Sequence, residues 1–521
     1  FAQGPSSHAM AANEKTEAAA PYWPEANLSA KPWTRWWWPG SGVDEANLTR
    51  QLEAFTAAGL GGVEITPIYG ARGYEDRYVD YLSPRWMELL EHAAREAKRL
   101  GLGVDMATGT GWPFGGPWIG GSEAAKQLAL RGGERVLEPT GQRVKRAAPG
   151  GEGLVVDPFS PAALQHYLKR FDAAFADFPK ELLRSQFHDS FEYYGANGTA
   201  ELWDRFESLH GYRLEEWASA LLGDGTGIKS GLLARLKSDY RNALDQLHRD
   251  YLRKWADWAH SKGWKIRNQS HGAPGNLLDL YAIADLPETE VFGSTPFPIP
   301  GLRRDPKAIR HNLDLPEPLV SRMASSAAHV MGKPLVSCET ATWLREHWKV
   351  ALSFVKPELD RVMLDGINHV FYHGTVYSPA EAPWPGWLFY ASTQFNPQNP
   401  WWRDFAALNA YVTRVQSILQ HGEPDNDVLL YWPAQDIWHD SEGLAKQLTV
   451  HHVGFVTDTP FGALAGRLKD AGYAFDYISD AQIQRSRAGE AGIATPGNSY
   501  AALVVPPVRF MPIETVRSLQ R

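Results

Sequence analysis

Two glutamates stand at the ends of short apolar segments and could carry out chemistry. Glu192 closes the segment FHDSFE and Glu339 closes the segment PLVSCE, and both segments have the composition of buried strands. A carboxylate at the exposed end of a parallel strand is explained more easily by chemistry than by packing. Two carboxyl groups on opposite sides of one pocket can supply a proton donor and a base, which is the pair that cleaves a glycosidic bond.

Asp189 lies shortly before Glu192 and completes the predicted catalytic group. If the chain turns helical there, the two carboxyl groups crowd each other, and like charges at short range favour a proton on one of them. Glu192 would then be suited to donate a proton. The alternative is that Asp189 caps a helix over 190–194. For the two glutamates the alternatives are an exposed loop position and an ion pair with a nearby basic residue.

Five further polar residues lie in or beside candidate strands and could contact a sugar or an ion. Glu64 and Glu290 would be costly to bury alone, so each predicts a bound hydroxyl, a cation or an arginine partner. Asn268 and His271 offer neutral hydrogen-bonding groups that suit vicinal hydroxyls. His373 is followed by glycine, which favours a position at the pocket over one in the core.

Tryptophan is abundant, with 21 copies, and an indole packs well on the apolar face of a sugar ring. Only tryptophans clustered in Gly- and Pro-rich segments count as evidence for a sugar site. Trp36, Trp37 and Trp38 are consecutive near the end of the first candidate strand, and three adjacent indoles cannot all face one core. At least one of them should line the pocket. Trp112 and Trp343 complete the predicted aromatic set.

Eight strand-like segments alternate with helical patterns, which predicts βαβ units and a parallel sheet. The candidate strands are 33–38, 62–66, 103–107, 185–190, 265–270, 286–292, 334–338 and 368–372. Apolar residues recur at intervals of three and four in the intervening segments, such as 44–58 and 84–100. Eight such units predict an α/β fold of the (β/α)8 TIM-barrel type, in which catalytic groups gather at the C-terminal ends of the strands.

The predicted domain organisation has three parts. Residues 1–30 are expected to be a disordered tail that starts with a tag-like sequence. Residues 31–421 form the barrel, with a β-rich insertion at about 108–161 after the third strand. Residues 422–521 are expected to form a small, Rossmann-like α/β domain that is incomplete, because the chain ends within what resembles its next helix.

Composition excludes several classes of protein. Of the 521 residues, 44% are hydrophobic and 21% charged, and no apolar run could cross a bilayer, so we predict a soluble protein without a membrane partner. The net charge of −8 and the lack of basic runs argue against nucleic acid. A single cysteine, Cys338, excludes a disulfide framework and a multi-thiolate zinc site.

Several motifs occur in the order seen in glycoside hydrolase family 106, the α-L-rhamnosidases. The chain resembles this family through PWTRWWWPG at 32–40, AGLGGVEI at 58–65, TGTGWPFGG at 108–116 and the two glutamate segments. The resemblance runs from about residue 31 to 424 and continues into the small domain. Family members often read Asn-Trp-Thr after the acid, whereas this chain has Asn-Gly-Thr at 197–199, so one aromatic subsite wall is expected to be missing or supplied from elsewhere.

The resemblance implies an inverting, calcium-dependent exo-enzyme that removes terminal α-L-rhamnose from plant glycosides or polysaccharides. By position, Glu192 resembles the general acid, Glu339 the general base, and Glu290 a ligand of calcium or substrate. The partner is expected to be a carbohydrate or a rhamnosylated small molecule, and the location periplasmic or secreted. C-terminal β-sandwich domains of the family are expected to be missing from this chain.

Three alternatives remain at this point. A retaining glycosidase acting on another sugar would hold its carboxyl groups about 5 Å apart, against roughly 6.5–9.5 Å for an inverting enzyme. A carbohydrate-binding protein would keep the tryptophan-lined cleft without catalysis. A metal-dependent amidohydrolase barrel would need a His-x-His pair where this chain has the three tryptophans 36–38.

Overall fold

The computed structural model describes residues 23–223, 228–293, 316–344, 347–440, 442–490 and 492–521. The tag-like residues at the start of the predicted tail lie outside these ranges. Residues 23–30 belonged to the predicted tail as well, but the structure packs them on the last barrel helix, which runs from Trp402 to His421. The Trp23 indole donates to Ser417 Oγ at 3.2 Å, and Gln420 Nε2 donates to the Ser29 carbonyl at 2.9 Å.

Eight parallel strands close into a barrel, so the predicted (β/α)8 fold is confirmed. In chain order the strands are β1 (Trp33–Pro39), β2 (Gly62–Ile68), β3 (Gly103–Ala107), β4 (Ser185–His188), β5 (Lys265–Asn268), β6 (Leu286–Phe292), β7 (Ser337–Thr342) and β8 (His369–Val376). Each strand pairs in parallel with its sequence neighbours, and β1 closes the barrel against β8.

Two strand boundaries differ from the sequence prediction and change the position of both glutamates. β4 ends at His188, so Glu192 lies in the loop that follows and not at the strand end. β7 begins only at Ser337 and ends at Thr342, which places Glu339 inside the strand. The segment before β7 includes Pro334, which has no N–H to give to a neighbouring strand. Most of the apolar run that suggested the strand therefore lies just before β7 and leads into it.

Helices surround the barrel and follow the strands in alternation. They are α1 (Glu45–Ala57), α2 (Pro84–Arg99), α3 (Pro161–Ala174), α4 (Ser230–His260), α5 (Leu277–Tyr281), α6 (Pro318–Met331), α7 (Leu352–Leu364) and α8 (Trp402–His421), with shorter helices Leu202–His210 and Ala218–Leu222 before α4. Side chains of Asp44, Ser83 and Ser160 accept main-chain N–H groups at the starts of α1, α2 and α3. Gly332 ends α6 with φ +71°, a left-handed value that favours glycine.

A β-rich insertion follows β3. Its strands Gly115–Gly116 and Leu154–Val155 pair antiparallel, and Lys126–Arg131 forms a hairpin with Glu134–Pro139. Because the insertion leaves the C-terminal end of β3, it can place side chains at the mouth of the barrel.

The small C-terminal domain is built on a parallel sheet of three strands. These are β9 (Val428–Tyr431), β10 (Phe475–Ile478) and β11 (Ala502–Val504), in the order β10-β9-β11. Helices α9 (Pro460–Asp470) and α10 (Ile513–Gln520), the shorter helices Ala434–Trp438, Gly454–Thr457 and Asp480–Ile483, and an antiparallel sheet of Arg487–Gly489, Gly492–Ala494 and Ser499–Tyr500 complete it. The domain contacts barrel helix α6, where His329 Nδ1 lies 3.0 Å from Asp476 Oδ1. Among the described helices, none is long and apolar enough to traverse a bilayer.

Candidate active site

A cavity of about 430 Å³ opens at the C-terminal ends of the barrel strands. It brings together eight of the residues predicted from the sequence, namely Trp37, Trp112, Asp189, Glu192, His271, Glu290, Glu339 and His373. These side chains come from seven different strands or the loops that follow them. The convergence of carboxyl, imidazole and indole groups in one cavity is what a sugar-cleaving site requires.

Glu339 lies on the cavity wall in β7 and is almost completely buried, at 2% exposure. Its Oε2 lies 2.7 Å from Arg35 Nη2 and accepts a hydrogen bond from Gln269 Nε2 at 2.7 Å. Its Oε1 accepts from Thr342 Oγ1 at 2.9 Å. Burial raises the pKa of Glu339 to about 7, although Arg35 pulls the pKa in the opposite direction. The group can therefore exchange a proton near neutral pH.

Glu290 is the direct neighbour of Glu339 on the adjacent strand, since their Cα atoms are paired in the β6–β7 register. Burial, and then the negative charges of Glu339 and Asp189, raise the pKa of Glu290 well above its usual range. The imidazole of His271 lies close to it, with Nε2 at 3.6 Å from Glu290 Oε2. Burial lowers the pKa of His271 to about 3, so that ring is neutral. Glu290 thus suits a bound cation or a substrate hydroxyl.

Arg35 joins the carboxyl groups on the two sides of the cavity. Its guanidinium lies 3.0 Å from Asp189 Oδ2, 2.7 Å from Glu339 and 3.6 Å from Glu288 Oε1. Burial opposes the charged form, but the three carboxylates outweigh burial and raise the pKa of Arg35. Sequence reasoning did not select this residue. The sequence offered one indication of it. Arg35 lies inside a candidate strand, two positions before Trp37, and side chains two positions apart in a strand face the same side.

Asp189 does not crowd Glu192, contrary to the sequence prediction. Residues 190–193 are not helical, so Asp189 caps no helix either, and its carboxylate pairs with Arg35. The chain stays irregular after β4, and the two acidic side chains point to different partners. Asp189 acts as an ion-pair partner on the cavity wall.

Glu192 is surrounded by a cation and a phenol. Its Oε2 contacts the Lys145 ammonium and accepts a hydrogen bond from Tyr194 Oη at 2.6 Å. Burial lowers the pKa of Lys145, but Glu192 reverses this effect and the net pKa is raised. Lys145 comes from the insertion after β3, and no local pattern connected it with Glu192. Tyr194 is half exposed and adds an aromatic side chain to the cavity wall.

The three consecutive tryptophans separate by strand alternation. Trp37 points inward, lines the cavity and stacks on Phe389 at a centroid distance of 4.2 Å. Trp36 points outward between sheet and helices, where its indole donates to Gln51 Oε1 at 2.9 Å. Trp38 also points outward and packs on the helix α2 side chain Trp86. Only one of the three is therefore available to a ligand in the cavity.

Glu64 and Asn268 also lie outside the cavity. Glu64 is fully buried in the barrel, where its carboxylate contacts Arg267 and accepts from Thr66 Oγ1 at 2.7 Å. This is the arginine pairing that the sequence left open. Asn268 is used internally, since its amide donates to the His188 carbonyl at 3.2 Å.

Trp343 stands beside the cavity without lining it, at 6.3 Å from the ring of Phe292, which does line it. The backbone around it is strained. Ala341 has φ +65° and Trp343 has φ +42°, both left-handed values that side chains disfavour. Such strain persists where the surrounding structure enforces it, often next to functional groups, and here it directly follows Glu339.

Below the cavity, acidic and basic side chains pair with one another inside the barrel. Arg267 contacts both Glu64 and Glu288, and its guanidinium lies 3.7 Å from the ring centroid of Phe371. Glu288 is shared with Arg35 in the layer above. Buried ions are stable only when paired, so this network fixes the position of Arg35 from below.

Trp36→Ala is expected to destabilise the protein by about 3–5 kcal/mol, because it opens a large void in a packed core. The thermal unfolding midpoint should fall clearly. Trp384→Ala removes an indole that is 69% exposed and serves as the control, with little expected change. Equal midpoints for the two variants would contradict the assignment of Trp36 to the core.

The fold and the site together define the class of protein to which the chain belongs. A closed parallel barrel with glutamates on the wall of one cavity at its C-terminal end is the architecture of barrel-type glycoside hydrolases. The chain belongs to glycoside hydrolase family 106, described as alpha-L-rhamnosidase, whose family model matches residues 24–137 and 135–521.

Individual relatives are distant. A curated protein of Formosa agariphila, whose name proposes a beta-glucuronidase, is 25% identical over 599 aligned residues, covering 94% of this chain and 47% of that protein. The chain thus spans about half the length of that curated relative. A solved rhamnosidase from Novosphingobium sp. PP1Y superposes with a TM-score of 0.75 at 16% identity, covering 94% of this chain and 67% of the other. The beta-galactosidase of Marinomonas ef1 reaches 0.58 at 11% identity, covering 94% and 74%. These structural similarities show a common fold.

Proposed function

We propose that the protein is an inverting exo-α-L-rhamnosidase that hydrolyses terminal α-L-rhamnose from plant glycosides or polysaccharides. The observation that carries this proposal is the placement of Glu192 and Glu339 on the wall of one cavity in a chain of family 106. Inversion needs one carboxyl group to protonate the leaving oxygen and another to activate water on the opposite face of the sugar. A periplasmic or secreted location suits such substrates.

Glu339 is the proposed general base. Its strand position and its hydrogen bonds from Gln269 and Thr342 hold the carboxylate in one orientation. Arg35 favours the ionised form that can accept a proton from water. His373 Nε2 lies 3.4 Å from the Oε1 atom, and burial lowers the pKa of this imidazole, so it offers a neutral group beside the attacking water.

Glu192 is the proposed general acid, located in the loop after β4, at the more open side of the cavity. In the free protein its carboxylate contacts the Lys145 ammonium and accepts a hydrogen bond from Tyr194 Oη at 2.6 Å. A leaving group bound in the cavity would displace Lys145 and take its place beside the Glu192 carboxyl, which then supplies the proton to the departing oxygen. The aromatic rings of Tyr194 and Trp112, which both line the cavity, can then pack on that leaving group.

Calcium is part of the proposal, with Glu290 as its protein ligand. Burial and the negative charges of Glu339 and Asp189 raise the pKa of Glu290, and a bound cation would offset both effects and favour the ionised carboxylate, an oxygen ligand that suits calcium. In the portion of the chain covered by the structure, no three His, Cys, Asp or Glu side chains converge on a metal position. Glu290 therefore fits an ion that takes its other ligands from sugar hydroxyls, main-chain oxygens and water. When bound, calcium would hold those hydroxyls in place.

Removal of calcium by a chelator is expected to abolish most of the activity, and added calcium should restore it. Glu290→Gln should weaken calcium binding about tenfold or more, because the variant loses the charge that attracts the ion. Terbium luminescence sensitised by the cavity tryptophans reports binding independently of activity. Full activity in the chelator, together with unchanged terbium binding in Glu290→Gln, would contradict the calcium assignment.

The decisive experiment is proton NMR of the first-formed sugar during hydrolysis of an aryl α-L-rhamnoside. Net inversion is expected, and net retention would reject the mechanism. A parallel assay with an aryl β-glucuronide tests the activity named for the Formosa relative. A non-catalytic sugar-binding protein would bind L-rhamnose without turnover of either substrate.

The pH dependence of kcat/KM should reveal the base. Since Glu339 must be ionised to accept a proton and burial raises its pKa to about 7, protonation below that pH removes the active form. The rate constant should fall about tenfold for each pH unit on the acidic side. A flat profile from pH 5 to 7 would argue against Glu339 as the base.

A further inference from the structure

The small α/β domain reaches the catalytic cavity through one turn, residues 447–452. Four side chains of this turn line the cavity, namely Gln447, Thr449, His451 and His452. The turn lies above the ends of β5 and β6, whereas Trp37 and Phe389 lie on the side of β1 and β8. The cavity therefore has an aromatic wall from the barrel and a polar wall from the other domain.

Main-chain hydrogen bonds fix this turn to the barrel. The Gly272 N–H donates to the Leu448 carbonyl at 2.7 Å, and the Leu448 N–H donates to the Ala273 carbonyl at 3.3 Å. The rings of His451 and Phe292 meet edge to face at 4.9 Å. Gly272 directly follows His271, which lines the same cavity. The turn thus keeps a defined position relative to the residues beneath it.

A buried arginine of the barrel holds the segment that precedes the turn. Arg241 lies in barrel helix α4 and is completely buried. Its guanidinium donates to five main-chain carbonyls, those of Trp438 at 2.5 Å, Asp440 at 2.7 Å, Glu442 at 2.5 Å, Gly443 at 2.8 Å and Leu444 at 3.2 Å. Burial lowers the pKa of Arg241 to about 10, so the side chain stays charged at neutral pH. The Lys446 ammonium also contacts the Asp440 carboxylate, and this ion pair joins the two ends of the segment just before the turn.

We propose that residues 447–452 form a specificity-determining wall of the sugar site, and that Arg241 is the positioning residue that holds this wall. The wall offers the imidazoles of His451 and His452 and the amide of Gln447, which can donate to and accept from sugar hydroxyls. It stands beside His271 and Glu290, so it contacts the sugar that is cleaved off. The inference rests on the proposed function and deepens it.

The test compares variants of two arginines on helix α4. Arg241→Met is expected to raise the KM for an aryl α-L-rhamnoside and the inhibition constant of free L-rhamnose about tenfold. The kcat should stay within about twofold, because the variant weakens binding of the substrate and of the transition state equally. Arg241→Lys should lie between, because an ammonium cannot span five carbonyls. Arg253→Met is the control, since its side chain is 49% exposed and pairs with Asp250 on the surface.

A second variant keeps the test valid if Arg241→Met does not fold. The double variant His451→Ala, His452→Ala changes two exposed side chains and should raise the same two constants to a similar extent. Unchanged affinity for L-rhamnose in the double variant would overturn the proposal. If the wild-type protein has no rhamnosidase activity, the proposed function fails. Calorimetric titration with L-rhamnose then still tests the wall, since weaker binding by the double variant supports it and equal binding refutes it.

Discussion

Glu339→Gln is expected to lower kcat about 10³-fold, because the variant removes the proposed general base while it keeps the volume and the hydrogen-bonding shape of the side chain. The KM should change little, since in this proposal Glu339 acts on water and not on the sugar ring. The amide also loses the ion pair with Arg35, but Arg35 keeps Asp189 and Glu288 as partners. The folded protein should therefore persist, and circular dichroism can check this.

Two further measurements sharpen the result for Glu339. The acidic decline of kcat/KM should disappear in Glu339→Gln, because the group that titrates near pH 7 is absent. Glu381→Gln is a suitable control, since its carboxylate is half exposed and pairs with Arg77 on the surface. A loss of less than about tenfold in Glu339→Gln would be too small for a general base.

Glu192→Gln should give a loss of rate that depends on the leaving group. For a poor leaving group such as a sugar, kcat/KM is expected to fall about 10³-fold, because the departing oxygen needs a proton. For a dinitrophenyl rhamnoside the loss should be less than about tenfold, because that leaving group departs as an anion. Initial rates across a series of aryl rhamnosides of rising leaving-group pKa measure this dependence.

The matched control for this series is Glu339→Gln, whose loss should be nearly the same for every leaving group. An equal loss across the series in Glu192→Gln would mean that this residue does not protonate the leaving oxygen.

The barrel could be predicted from the sequence because local signals repeat along it. The alternation of strand and helix patterns identified all eight strands, and catalytic side chains gather at one end of such a barrel. This is why Glu192, Glu339, Glu290, His271 and His373 meet in one cavity. The β7 boundary was wrong because its strand, SCETAT, is polar yet buried.

The partners of these residues could not be predicted, because they are far away in the sequence. Nothing local connects Lys145 of the insertion with Glu192, or the turn 447–452 with His271. The assignment of Trp36 and Trp38 to the sugar site failed for a different reason. Strand alternation fixes only that neighbours face opposite sides, and choosing the inward side requires knowing where the barrel axis lies.

The pair formed by Lys145 and Glu192 has a consequence for how such enzymes diversify. Glu339 lies within a barrel strand, whereas Lys145, the neighbour of Glu192, belongs to the insertion after β3. Selection can rebuild that insertion, by lengthening or exchange, without disturbing the strand that carries the proposed base. Changes of aglycone preference in related proteins should therefore accumulate in this insertion, while that strand stays constant.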